Sequence, residues 1–249
     1  MTGTAPSDRP APRLSWHADQ AGLVEAARRR FTEVVAAAQG ERGMARVVLT
    51  GGGAGIALLA ALAADSAPVD WSRVHLFFGD ERFVPADSPE RNAGQARAAL
   101  LDAVGVPEGH VHEIAAAGGA FGGDPAAAAA DYARVLAEHA PDGFDLHLLG
   151  MGPEGHVNSL FPGTAEVAER AATVVAVRDC PKPPPTRVSL TLPAIAAADR
   201  VWLLVAGAAK AEAVAAIADG ADPARWPAAG ARGRLETVVF VDDAAAGGL

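Results

Sequence analysis

Four short segments of this chain carry side chains with usable chemistry. Gly150-Met-Gly-Pro-Glu-Gly-His-Val-Asn-Ser-Leu-Phe-Pro-Gly163 holds Glu154 and His156 among glycines and prolines. An imidazole titrates near neutral pH, so a histidine fixed in such a turn can act as a general base toward water. Gly79-Asp-Glu-Arg-Phe-Val84 sets Asp80, Glu81 and Arg82 directly after an apolar run. Charges in that position are costly unless paired or used. Thr50-Gly-Gly-Gly-Ala-Gly55 lets the backbone N–H groups of Gly51, Gly52 and Gly53 approach an anion at the start of a helix. It has neither the Gly-Lys-Ser/Thr of a Walker A loop nor GxGxxG spacing. Gly207-Ala-Ala-Lys210 places one of only two lysines, the other being Lys182, in the first turn of a helix. A cation there opposes the helix macrodipole unless an anion is close by.

The remaining titratable groups read more plainly. His17, His75, His110, His112, His139 and His147 have the settings of packing or surface residues, with His147 inside a strand. Cys180 is the single cysteine, which excludes an internal disulfide framework and a cysteine-based zinc cluster. No cluster of histidine, cysteine and carboxylate has the sequence spacing of a zinc site, so no metal is expected.

Those segments need a scaffold, and the pattern around them supplies one. Apolar runs predict strands at Val47–Thr50, Val74–Phe78, Phe144–Leu149 and Val201–Ala206, with others at Thr173–Val177, Arg187–Thr191 and Thr237–Val241. Helices are predicted from the Asp19 cap to about Gly40, over Ala54–Ala64, from Ser88-Pro89 to about Ala103, from Asp124-Pro125 to about His139, and over Gly207–Ala218. Strands alternating with helices, and apolar almost without interruption, predict a mainly parallel sheet covered on both faces. In such a sheet ligands collect beyond the carboxyl ends of the strands. All four segments fall there. The tract Pro181-Lys-Pro-Pro-Pro185 reads as a rigid connection delivering Arg187 to the sheet.

Length and composition bound the function. The chain has 249 residues, enough for one α/β domain, and half of them are apolar. Its net charge of 21 − 30 = −9 argues against nucleic acid as a partner. Residues 1–15 are polar and proline-rich and read as a flexible arm, with 16–249 as a single domain. The start lacks the apolar stretch of a signal peptide, and no apolar run is long enough to span a membrane. A cytoplasmic location is therefore expected.

Together these segments resemble the 6-phosphogluconolactonase family. The resemblance rests on Leu149–Gly163, on Phe78-Gly-Asp-Glu-Arg-Phe-Val-Pro85, on Pro183-Pro-Pro-Thr-Arg-Val-Ser-Leu-Thr191, and on the turn ending at Lys210, in order from about Trp16 onward. Glu154 stands where aspartate is commoner in the family, and Asn158 where a smaller residue is usual. The resemblance implies a Rossmann-like three-layer α/β/α sandwich with a mainly parallel sheet, shared with glucosamine-6-phosphate deaminase, ribose-5-phosphate isomerase and CoA transferases. It implies hydrolysis of 6-phospho-D-glucono-1,5-lactone to 6-phosphogluconate without metal or cofactor. The substrate is a small sugar-phosphate lactone, and the active unit a monomer or weak homodimer. On this reading His156 is the base, and Glu154 or Asp80 orients it. Gly51, Gly52, Gly53, Glu81, Arg82, Asn158, Arg187 and Lys210 bind substrate. Two other readings are a deaminase or sugar-phosphate isomerase on the same fold, and a non-catalytic sugar-phosphate sensor. The first would open a sugar ring with Asp80, Glu81 and His156. The second normally needs a DNA-binding segment ahead of it, for which the arm before Trp16 is too short.

Overall fold

Strands that are apolar on successive residues must be buried on both faces, and the computed structural model, which describes residues 9–247, shows them so. In chain order the elements are β1 (Arg13–His17), α1 (Gln20–Arg42), β2 (Ala45–Leu49), α2 (Gly53–Ala64), β3 (Val74–Phe78), β4 (Asp80–Arg82), α3 (Asn92–Ala99), β5 (Val111–His112), α4 (Pro125–His139), β6 (Leu146–Gly150), β7 (Val174–Val177), β8 (Arg187–Leu190), α5 (Leu192–Ala196), β9 (Arg200–Val205), α6 (Ala211–Ala218) and β10 (Glu236–Asp242). Seven strands form one sheet in the order β1-β10-β9-β6-β2-β3-β5, and every pairing in it is parallel. The chain leaves β2 toward β3 and β5, then returns to β6 and continues to β9 and β10. The order therefore reverses between β2 and β6, the place where open α/β sheets bind ligands.

Several local signals act as the sequence suggests. The Asp19 carboxylate accepts the Gly22 N–H at 2.8 Å and starts α1, whose Leu23, Ala27, Phe31 and Val35 are fully buried. Such a cap contributes about 1 kcal/mol. Asp124 caps α4 in the same way through Ala126 N–H, with Pro125 at its first position. On α4 the hydroxyl of Tyr132 accepts the Phe78 N–H at 2.8 Å and so fixes the end of β3 just before Gly79.

Other elements differ from the sequence reading. Within the described residues the supposed arm is ordered from Arg9. Arg13–His17 pairs with β10 as a strand, and Arg9 donates to the carbonyls of Ala196 and Arg232. The part of the arm before Arg9 lies outside the described residues. Helix α1 runs on to Arg42 and closes with Gly43 at φ 76°. The segment Gly79–Ser88, read as a loop, contains β4, which joins β8 and β7 in a separate three-stranded antiparallel sheet. That small sheet is separate from the parallel one, so the strands predicted at Thr173–Val177 and Arg187–Thr191 do not enter the main sheet. Finally, Ser88 caps a turn and not a helix. Helix α3 begins at Asn92 because the buried Glu81 carboxylate accepts the N–H groups of Asn92 and Ala93 at 2.8 and 2.9 Å, a tertiary contact that sets the start.

Candidate active site

The ladder between β2 and β6 covers only Val47–Leu146 and Val48–His147. Beyond it the two strands are held by one side chain: Gly150 N–H donates to Thr50 Oγ1 at 2.9 Å. A cleft opens past that bond, lined by Thr50, Gly51, Gly52, Asp80, Arg82, Asn92, Gly150, Met151, His156, Asn158 and Arg187. It therefore sits at the reversal of strand order. Three of the four segments singled out in the sequence reach it.

His156 is positioned by its own loop. Gly152 N–H donates to the His156 carbonyl at 3.1 Å, and Gly155 N–H to the Gly152 carbonyl at 2.9 Å, closing a tight turn. Gly152 has no substitute there, because a Cβ would run into the His156 ring. The ring stacks on Phe161, with centroids 4.4 Å apart and an interplanar angle of 22°. Its Nδ1 is buried and lies 3.1 Å from Glu154 Oε1, in contact but not aligned as a hydrogen bond. Nε2 is thus the nitrogen left to the cleft. Glu154 in turn meets the ammonium of Lys182 at 2.8 Å. Lys182 also stands over the Phe161 ring at 5.9 Å.

The electrostatics of this trio set the protonation states. Burial pushes the His156 pKa below its ordinary value; Glu154 pulls it up, and Lys182 pushes it down again. The ring is therefore neutral at pH 7 and able to accept a proton. Burial alone would raise the Glu154 carboxyl, but Lys182 and a backbone hydrogen bond hold it below its usual range, so it stays ionised.

Asp80 lies across the cleft in a different network. Its Oδ2 accepts from Ser159 Oγ at 2.6 Å and its Oδ1 from Asn92 Nδ2 at 3.1 Å. Both oxygens are engaged, so the carboxylate in contact with the His156 ring is Glu154. The two arginines also differ. Arg187 is almost wholly buried and donates to the carbonyls of Lys182, Pro183 and Pro184 and to Ser159 Oγ. Of its five N–H groups that leaves one. Arg82 donates to the Glu90 carbonyl and to Asn92 Oδ1 through Nη1 alone; its Nε is buried, and Nη2 has no partner among the described residues. Arg82 is therefore the guanidinium with donors free for an anion. Beside it, Gly52 at φ 80° turns the chain into α2, whose first N–H groups have no side-chain cap.

Three expected binding residues are not on the cleft wall. Glu81 is buried and serves the start of α3, with Arg91 3.6 Å away. Gly53 is the first residue of α2, behind Gly51 and Gly52. Lys210 precedes α6 and is half-buried, with burial lowering its pKa, Asp242 raising it and Lys182 lowering it. Asn158 does line the cleft, at φ 51°. Four residues were missed: Lys182, Asn92, Ser159 and Thr50. Lys182 had one available signal, as one of two lysines in a chain of net charge −9. Asn92 and Ser159 had none, since their contacts to Asp80 join separate elements.

A parallel sheet that reverses at a cleft holding a neutral imidazole and a guanidinium, with a paired carboxylate behind the imidazole, defines a Rossmann-like α/β protein. Residues 18–240 match the model of the family described as glucosamine-6-phosphate isomerases/6-phosphogluconolactonase, and the chain belongs to that family. It is 56% identical to the 6-phosphogluconolactonase of Mycobacterium tuberculosis (strain ATCC 25618 / H37Rv) over 230 residues, covering 90% of this chain and 93% of that one. It is 51% identical to the 6-phosphogluconolactonase of Streptomyces coelicolor over 247 residues, covering 96% and 95%. Among solved structures, 6-phosphogluconolactonase from Thermotoga maritima superposes with a TM-score of 0.82 at 29% identity, over 92% of this chain and 99% of that one.

Proposed function

We propose that the protein hydrolyses 6-phospho-D-glucono-1,5-lactone to 6-phosphogluconate. The observation that carries this is the neutral His156, backed by Glu154 and Lys182, in one cleft with Arg82 and the Gly51–Gly52 turn. The turn, the start of α2 and Arg82 receive the phosphate. A water between His156 Nε2 and the lactone carbonyl gives its proton to the imidazole as it attacks C1. Glu154 stabilises the imidazolium that forms. The tetrahedral intermediate collapses, the bond from C1 to the ring oxygen breaks, and His156 returns the proton to that oxygen. A δ-lactone is an activated ester, so a base and an anion clamp suffice. General-base catalysis is worth roughly 10²–10⁴-fold, about 3–5 kcal/mol of barrier.

Deamination or isomerisation of a sugar phosphate is not favoured, since the relatives above half identity are lactonases. The proposed active unit is a monomer or weak homodimer, since one chain by itself brings His156, Arg82 and the Gly51–Gly52 turn to one cleft. Among the described residues no helix is long and apolar enough to cross a membrane, and we place the protein in the cytoplasm. The test is lactone consumption with spontaneous hydrolysis subtracted, beside ammonia release from glucosamine 6-phosphate. Fast lactone turnover without ammonia is the expected result; ammonia release without lactone turnover overturns the proposal.

A further inference from the structure

The structure assigns a second site to the half of the main sheet away from the catalytic cleft: we propose that His75, His112 and His139 bind a late first-row divalent cation such as Zn²⁺. The three come from different elements. His75 is the second residue of β3, His112 the last of β5, and His139 the last of α4, which lays its C-terminal end over those strands. The catalytic segments leave the carboxyl ends of the strands, whereas His75 pairs with Arg46 near the amino ends of β3 and β2.

One nitrogen from each imidazole lies within 4.8 Å of the other two. His75 Nδ1 and His112 Nε2 are 2.8 Å apart, and the His112 and His139 rings stack with centroids 4.3 Å apart. A tetrahedral ion with bonds of about 2.0–2.1 Å needs ligand nitrogens about 3.3 Å from one another. The His75–His112 nitrogen spacing is about half an ångström short of that value and the other two lie within 4.8 Å, so small ring movements would admit an ion in place of the hydrogen bond between His75 and His112.

The chemistry of the donor set selects the cation. Three imidazoles without an oxygen ligand suit zinc, copper, nickel or cobalt and not magnesium or calcium. Each ligates as a neutral imidazole, with its proton on the other ring nitrogen, and no proton need leave the site. His110 stands beside His75, ring centroids 4.2 Å apart, and its Nδ1 is buried without a partner. It is placed to complete the set after a ring rotation. Of the charged neighbours, Arg46 opposes a cation and Glu138, with Oε1 3.7 Å from His139 Nε2, favours it. In the sequence these histidines are separated by 37 and 27 residues, which is why their spacing gave no zinc motif and the expectation of no metal.

The experiment is equilibrium dialysis of the metal-stripped, untagged full chain against Zn²⁺, and against Co²⁺ followed by its visible absorption. Wild type should take up one equivalent with imidazole-type Co²⁺ bands. His75→Gln, and separately His139→Gln at the less buried helix end, should weaken binding by at least about tenfold. His156→Gln should leave binding intact. Circular dichroism confirms that each variant is folded, and loss in either folded variant supports the site. No stoichiometric uptake by wild type, unchanged binding in both folded variants, or loss in His156→Gln would overturn the proposal.

Discussion

Replacing Glu154 by Gln removes one negative charge 3.1 Å from His156 Nδ1 with almost no change in shape. At that distance a unit charge is worth about 1.3 kcal/mol in bulk water and about 5 kcal/mol at an effective dielectric of 20. Glu154 is about a third exposed and shares its charge with Lys182, so screening favours the lower figure. The imidazolium should therefore lose about 1.4 kcal/mol, equal to one pKa unit. The direction follows from the active form. His156 works unprotonated, its pKa already lies below the ordinary histidine value, and activity is lost as pH falls through it. In Glu154→Gln the acid limb of kcat/KM should move about one unit lower. The imidazolium formed during attack is also less stabilised, so limiting kcat should fall roughly three- to tenfold while KM changes little. Lys182→Met should shift the limb the other way, because it removes a cation that opposes imidazolium and frees the Glu154 charge. The assay is lactone hydrolysis from pH 4.5 to 8 with the spontaneous rate subtracted. A limb that stays fixed in both variants, or moves upward in Glu154→Gln, would refute the assignment of Glu154 as the carboxylate that sets the base.

Arg82→Ala should raise KM by roughly 10–100-fold with little change in kcat or melting temperature, since a charged hydrogen bond to phosphate is worth about 1.5–3 kcal/mol; a normal KM removes Arg82 from the clamp. Arg187→Ala should chiefly lower the melting temperature, because it frees three loop carbonyls and leaves Asp80 without its cation, 3.9 Å away; a fully stable variant contradicts that reading. Gly152→Ala should cut kcat by about 100-fold by displacing the His156 ring, with the fold retained in circular dichroism.

Which of these features could be read from the chain depended on how local their causes are. The buried strands, the Asp19 cap and the Asp124-Pro125 helix start are written within a few residues of each element, and the structure agrees. The start of α3 was misread because Ser88-Pro89 carries a local helix signal that a distant contact, the Glu81 carboxylate on Asn92 and Ala93, overrides. The edge strand β1, Arg13-Leu-Ser-Trp-His17, is too polar to announce itself and exists by pairing with β10. His156 and Glu154 were visible because one glycine-rich turn contains both. Lys182 was not, because it arrives from 28 residues away on a proline tract. Asp80 and Arg82 were found beside Glu81, but sequence could not say that alternate residues of β4 face the cleft while Glu81 points into the core.

The central claim, that His156 is the base in lactone hydrolysis, is tested most directly by kcat of His156→Ala on 6-phosphogluconolactone, measured on protein whose circular dichroism matches wild type. The account predicts a loss of about 10²–10⁴-fold with KM close to normal. A folded variant with near-normal kcat would contradict it.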